Sequence, residues 1–233
     1  MFADVHSHVL CGIDDGARDL AETGRLLTEL RAVGITHLAF TPHYYPHKRS
    51  LLSFEEKREK AYEAVKALPE AENFTFSLGA EVYLGETLFN NAALDSLCYE
   101  GTDFMLTELE YTPCFTDAAR YRLLRLVEDY SVKPVLAHID RYPFLWKNMD
   151  LLYDLKKMGC YFQVNLSAFK GFFTRMQVMK LYQNGFVDFL GGDVHRSVIP
   201  LAEKEKIFSR VEKKYPDFAD RISREAVSQL FDS

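Results

Sequence analysis

The segment Asp4-Val5-His6-Ser7-His8 sets two imidazoles two residues apart, and Gly12-Ile13-Asp14-Asp15-Gly16 follows with two carboxylates in one loop. In an extended segment, residues i and i+2 point the same way, so His6 and His8 address one point in space. Neutral imidazole is the commonest metal ligand, and two on one side make half a site. Alone, a His-x-His is a weak signal that fits hydrogen-bonded surface histidines equally well. Its weight comes from the rest of the chain. His43, Glu81, Glu108, His138, Asp193 and His195 each fall at or near the end of an apolar run. Nitrogen and carboxylate oxygen without thiolate suit Zn, Mn or Fe. Carboxylates can bridge, so two or three divalent ions can sit close together. Such clusters hold attacking and leaving oxygens in line for phosphoryl transfer and supply a hydroxide nucleophile near neutral pH.

The elements that must position these residues alternate. Phe2 to His6 is a strand. Asp19 caps a helix with Glu22 three residues on, and Gly34 closes it. His37 to Thr41 is strand two, leading into Pro42-His43. Ser53 with Glu56 caps a charged helix that runs to about Leu68. Strand three, Thr75 to Val82, carries Glu81, and a short helical piece spans Glu86 to Leu97. Strand four, Phe104 to Leu109, carries Glu108. A helix from Asp117 to Tyr130 turns Leu123, Leu124 and Val127 inward. Strand five, Val135 to His138, a helix from about Asn148 to Lys157, and strand six, Tyr161 to Asn165, come next. A helix near Thr174 to Asn184 precedes strand seven, Val187 to Leu190, which leads into Gly192-Asp193-Val194-His195. Two helices divided by Pro216 end the chain. Seven strands alternating with helices predict an α/β fold with a parallel sheet, and at this length a closed or nearly closed barrel. Chemistry then sits at the carboxyl ends of the strands.

Six of the seven strands deliver His, Asp or Glu to one rim, and five of the seven histidines lie there; the others are His37 and His47. Glu81 and Glu108 lie in apolar strands, where a bare carboxylate is too costly and must be paired or metal-bound. Arg141, three residues after His138, and Arg196, directly after His195, place guanidiniums beside presumed ligands, where they either grip a phosphate in forked fashion or pair with a neighbouring acid.

The totals fit one domain over residues 1–233. The chain is 48% hydrophobic, enough for one sizeable core. No apolar run is long enough to span a bilayer and no secretory signal is visible. Cys11, Cys98, Cys114 and Cys160 are scattered without a Cys-x-x-Cys, which fits a reducing cytoplasm. A net charge of −6 argues against nucleic-acid binding while leaving room for a locally positive phosphate site.

These motifs, with Thr41-Pro42-His43-Tyr44, Gly79-Ala80-Glu81 and Ala137-His138-Ile139-Asp140-Arg141-Tyr142, resemble the PHP (polymerase and histidinol phosphatase) superfamily. Within it the chain is similar to the bacterial capsule and exopolysaccharide-type protein-tyrosine phosphatases, from Asp4 to about Arg196. The resemblance implies a distorted (β/α)7 barrel with a three-metal site. His6, His8, Glu81 and Asp193 would hold one ion, Glu81, Glu108 and His138 a second, and His43 with His195 a third. It further implies Asp15, ahead of Asp14, as a ligand or base, and Arg141 with an arginine after the last His as phosphate binders. The implied partner is a phosphotyrosine-bearing tyrosine autokinase of polysaccharide synthesis. Where the family usually has proline after the strand-five His, this chain has Ile139. Where it usually has serine before the last Asp, this chain has Gly192, and Arg196 stands closer to the last His than the family's arginine.

Three other readings compete. Cys114 to Arg120 matches the Cys-x5-Arg spacing of cysteine-dependent tyrosine phosphatases, but the loop lacks glycine and Asp117 would oppose a phosphate dianion. A small phosphomonoester such as histidinol phosphate would use the same chemistry in a different cleft. Tyr44, Tyr45, Phe172 and Phe173 are the aromatic residues that either line a cleft for a phosphotyrosine ring or pack elsewhere. A PHP-like domain that binds metal or a partner without catalysis is the third; its relatives lose ligands first, and here the ligand set is nearly complete.

Overall fold

A computed structural model describes residues 2–196 and 201–232; Met1, residues 197–200 and Ser233, which the expected single domain includes, lie outside the described residues. All the strand pairings are parallel. β1 (Phe2–Asp4), β2 (Ile35–Phe40) and β4 (Thr75–Leu78) form one sheet in that order. β3 (His43–Tyr44), β5 (Glu81–Tyr83), β6 (Phe104–Glu108), β7 (Lys133–Leu136), β8 (Tyr161–Asn165) and β9 (Phe189–Gly191) form the other. The fold is mixed α/β with a curled parallel sheet.

The expected strand three is thus two pieces, β4 and β5, and His43 belongs to a separate short strand, β3. Each break falls where the chain changes neighbours. β2 pairs with β1 and β4, whereas its continuation β3 pairs with β5. Pro42 has no N–H to give a ladder, but its carbonyl accepts from Glu81 N–H at 3.1 Å, and Gly79 N–H reaches Phe40 O at 2.9 Å. These bonds hold His43 directly beside Glu81 in the register.

Helices cover the outside: α1 (Leu20–Ala32), α2 (Leu51–Lys66), α3 (Asp117–Tyr130), α4 (Pro143–Trp146), α5 (Met149–Lys157), α6 (Phe172–Gln183), α7 (Leu201–Lys214) and α8 (Pro216–Leu230). Asp19 caps α1 as expected, accepting from Glu22 N–H at 2.8 Å. The cap of α2 is Ser50 rather than Ser53, because the turn after Tyr45 ends early enough for Ser50 to accept from Ser53 N–H. On α3 the inward face is Leu123 and Leu126, with Leu124 and Val127 only half-buried. The helical piece after β5 is two 3-10 turns, Glu86–Asn90 and Asp95–Leu97.

Two apolar clusters follow from the period of two along the strands. Ala3, Val5, Ala39, Leu106, Val135 and Phe189 face one another inside the curl. Strand residues of opposite parity, such as Leu38, Met105, Leu136 and Val164, meet the helices in the larger cluster. Ala226 and Leu230 of α8 join the inner cluster, and Phe231 stands edge-on to His37 at 5.4 Å. The last helix therefore covers the side where the strands begin and leaves their carboxyl ends open.

Candidate metal centre

Four of the expected ligands, all imidazoles, meet around one carboxylate. Glu81 Oε2 lies 3.2 Å from His6 Nε2, 3.2 Å from His8 Nε2 and 2.9 Å from His43 Nδ1. Glu81 Oε1 lies 2.9 Å from His138 Nε2. Asp193 Oδ1 is 3.6 Å from both His6 Nε2 and His8 Nε2 and 3.3 Å from His195 Nδ1. Glu108 Oε2 stands at the edge, 4.0 Å from His43 Nδ1. The residues come from the segment that extends β1, from β3, β5 and β6, and from just beyond the ends of β7 and β9, so the strand ends do converge.

Backbone hydrogen bonds join the first and last lines of chain at this spot. Val5 N–H donates to Leu190 O, Asp193 N–H to His6 O at 2.7 Å, and His8 N–H to Val194 O at 2.8 Å. The approach is too close for a side chain at Gly191, where a Cβ would lie 2.5 Å from that of His6. His138 and Asp193 both take positive φ, 36° and 50°. Such values in non-glycine residues are uncommon and cluster at functional sites.

The tautomers follow from the partners of the Nδ1 atoms. His6 Nδ1 faces Gln163 Oε1 at 3.2 Å and His8 Nδ1 faces Asp14 Oδ2 at 2.7 Å. With both Nδ1 atoms engaged by these partners, the two Nε2 atoms are left facing one another, 3.1 Å apart, and Glu81, where their lone pairs would be free for a cation once the rings are neutral. Glu81 Oε2, Glu108 Oε2, His43 Nδ1 and His138 Nδ1 are buried without a hydrogen-bond partner, the 2.9 Å approach of His43 to Glu81 being out of line. Ligands about 2.1 Å from an ion stand about 3.0–3.4 Å from each other, by octahedral or tetrahedral geometry, which is close to the 2.9–3.6 Å spacing found here. The donor set therefore fits divalent cations. Among the described residues, three groups have donor atoms within 4.8 Å of one another: His6, His8 and Asp193; His43, Glu81 and Glu108; His8, Asp15, His43 and His195.

Charge within the cluster is strongly biased. Burial pushes the Glu81 carboxyl up, but His6, His138 and His43 outweigh it and hold its pKa well below the usual range. Asp193 is likewise penalised by burial, yet His6 and Arg141 bring it down to about 2. Burial disfavours a charged His8, and Asp14 and Glu81 overcome that to raise it to about 10. Glu108 goes the other way, raised by burial and by the charge of Glu81.

The remaining candidates divide. Asp15 is 71% exposed, 3.4 Å from His195 Nε2 and 3.7 Å from His43 Nε2. Asp14, ranked behind it from the sequence, is the more deeply built: it also accepts from His43 N–H at 2.9 Å and Gly16 N–H at 2.8 Å. Arg141 pairs through Nη2 with Asp193 Oδ2 and stays 43% exposed. Arg196 donates from Nε to Gly16 O at 3.1 Å. Tyr44 is a core residue packed on Phe54, while Phe172 and Phe173 are exposed at the start of α6. In the Cys114 loop, Thr116 caps α3 and the Arg120 guanidinium lies over the Phe115 ring.

Gln163 escaped the sequence reading. Its Oε1 also accepts from His138 N–H at 2.7 Å, tying β8 to two presumed ligands at once. A polar residue in the middle of an apolar strand was the available signal. Asn165 was missed as well; its Nδ2 donates to Asp193 Oδ2 at 3.1 Å.

The family model described as capsular polysaccharide synthesis, CpsB/CapC, matches residues 2–232. Tyrosine-protein phosphatase CpsB of Streptococcus agalactiae serotype V is 28% identical over 242 residues, covering 98% of this chain and 94% of its own. Tyrosine-protein phosphatase YwqE of Bacillus subtilis is 27% identical over 201 residues, covering 82% and 76%. Among solved structures, the work on YwqE from Bacillus subtilis and CpsB from Streptococcus pneumoniae, described there as metal-dependent tyrosine phosphatases, superposes with a TM-score of 0.79 at 20% identity, over 98% of this chain and 94% of that one. That last likeness speaks to the fold.

Proposed function

This chain belongs to the CpsB/CapC family of capsular polysaccharide synthesis, and from that premise we propose that it is a metal-dependent phosphotyrosine-protein phosphatase. The observation that carries the reading is the Glu81 carboxylate ringed by four imidazoles at 2.9–3.2 Å. His6, His8, Glu81 and Asp193 would hold one ion, Glu81, Glu108 and His138 a second, and His43 with His195 a third, with Asp15 beside the last. Bound ions would supply Lewis acidity toward the phosphoryl oxygens and a nucleophile drawn from water near neutral pH. Mn, Fe and Zn all suit the donor set.

The chain's own residues do the rest. Gln163 and Asp14 hold His6 and His8 with Nε2 directed inward. Arg141, anchored on Asp193, keeps its open side for a phosphate oxygen, and Arg196 is a second cation at the rim. Asp15, exposed between His43 and His195, is the residue placed to exchange a proton with solvent. The substrate is a phosphotyrosine protein, in this reading a tyrosine autokinase of polysaccharide synthesis. The capsule description of the family supports that choice. A cytoplasmic location belongs to the same proposal, supported by four free cysteines. No helix of the described residues is long and apolar enough to cross a membrane. The proposal includes a single domain over 1–233 and a distorted (β/α)7 barrel, supported by the bonds from Val5, His8 and Asp193 that link the first and last strand lines.

The test is hydrolysis of a phosphotyrosine peptide by the protein as purified, after metal stripping, and with Mn, Fe or Zn restored. Activity should vanish and return. Activity that survives verified stripping, together with its loss in Cys114→Ser, would move the chemistry to the thiol; we expect Cys114→Ser to stay within about twofold of the parent, since surface changes away from special features cost little. Turnover of histidinol phosphate in preference to the peptide would support the small-substrate reading instead.

A further inference from the structure

Next to the metal centre lies a cavity of about 360 Å³, bounded by the Asp14–Asp15 loop, His43 and the turn from Tyr45 to Arg49. The turn closes through Lys48 N–H to Tyr45 O at 2.9 Å and Arg49 N–H to the same carbonyl at 3.3 Å, just before Ser50 caps α2. It carries two cations to the wall of the cavity. The Lys48 ammonium lies 4.2 Å from the centre of the Tyr45 ring, whose ring neighbours include His43 at 5.1 Å. Tyr45 thus links a presumed ligand to a cation. Arg49 Nη1 is buried and has no hydrogen-bond partner, and among the described residues no carboxylate pairs with Arg49 or Lys48. A buried donor without an acceptor is unusual enough to need a reason.

The acids of the cavity do not supply one. Asp14 is taken up by His8, Gly16 and His43, and Asp15 faces the imidazoles of His43 and His195. Carboxylates are therefore turned to the metal centre and cations are left for a ligand. The volume is many times the roughly 30 Å³ that one water occupies in the liquid, ample for a carboxylate or phosphate group. A guanidinium fork matches either anion.

We propose that Arg49, with Lys48, forms an anion subsite that binds a second negatively charged group of the substrate, a carboxylate or another phosphate on a residue adjoining the phosphotyrosine. This rests on the phosphotyrosine reading above and adds to it a preference for acidic or multiply phosphorylated segments.

Binding, not turnover, is the readout. Peptides bearing a non-hydrolysable phosphonate analogue of phosphotyrosine, flanked by Glu, by a second phosphonate residue or by Ala, are titrated calorimetrically into the metal-loaded full chain. The parent should bind one or both anionic peptides about tenfold tighter than the Ala peptide, the size of one charge-assisted contact. Arg49→Gln should shrink that ratio to about two or less, Arg49→Lys should keep most of it, and raising the salt to 0.5 M should weaken it. A stronger response to Glu identifies a carboxylate as the partner, and a stronger response to the second phosphonate identifies a phosphate. Equal affinity for the three peptides, or binding of none, overturns the subsite, as does a ratio that persists in Arg49→Gln. A protein that prefers the anionic peptides yet hydrolyses no phosphotyrosine overturns the phosphatase reading and supports the subsite.

Discussion

The Asp14 carboxylate meets the His8 ring at 2.7 Å, Oδ2 to Nδ1, and the same oxygen accepts from the backbone of His43. One acid thereby orients a presumed ligand on the first strand line and fixes the strand that carries another. A carboxylate on the far nitrogen of a ligating histidine sets its tautomer and raises its basicity. Asn at position 14 must mismatch at least one of the three donors it faces. Asp14→Asn should lower metal affinity about 10–100-fold, read by competition with a chelator of known affinity. Affinity within twofold of the parent would remove Asp14 from the centre.

Gln163 is the second such support, and its loss should register in stability as well. Leu at this position leaves His138 N–H and His6 Nδ1–H without their acceptor in a buried site. Each unsatisfied buried donor costs about 1–3 kcal/mol. Gln163→Leu should therefore lower the unfolding free energy by at least about 1 kcal/mol in a urea titration. An unchanged midpoint and slope would contradict the role given to Gln163.

Metal should stabilise the chain on its own account. The centre collects unpartnered buried atoms from β3, β5, β6 and the end of β7. At a free ion concentration 100 times the dissociation constant, binding to the native state adds about 2.7 kcal/mol. For a chain of this size that is a rise of about 5–10 °C in melting temperature. Thermal melts after chelation and after addition of Mn, Fe or Zn check it, with Glu81→Gln expected to lose most of the rise. Melts indifferent to all three ions would argue against the centre.

His37 gives a separate pH dependence, away from the metal site. Burial holds its pKa below the ordinary value, and Asp232 pulls it only partly back. Its Nδ1 lies 3.0 Å from Thr36 Oγ1. A depressed imidazole contributes stability that is complete above the unfolded pKa of about 6.5 and lost as pH falls toward the folded value. Between pH 7.5 and 5 the parent should lose more unfolding free energy than His37→Gln. Identical losses in the two proteins would refute the assignment.

Much of this protein is legible along the chain because the governing rules are local. The alternation of apolar strands and capped helices names a parallel α/β fold. The period of two makes His6 and His8 partners, and carboxylates in apolar strands announce that they are paired. Asp19, Gly34, Asn148 and Pro216 mark helix ends by chemistry acting over a few residues. What the tertiary structure alone decides is which groups finally touch. Glu81 becomes the hub because the shift from β4 to β5 sets it beside His43, a shift that no local pattern encodes. Asp14 turns inward to His8 while Asp15 faces His43 and His195 because the loop's curl, not its spelling, aims each carboxylate. Arg141 spends one arm on Asp193, 52 residues away, and Gln163 reaches His6 across 157. Contacts at such separations depend on how the sheet curls and closes its neighbours on one another, and that is a property of the packed whole rather than of any stretch of sequence.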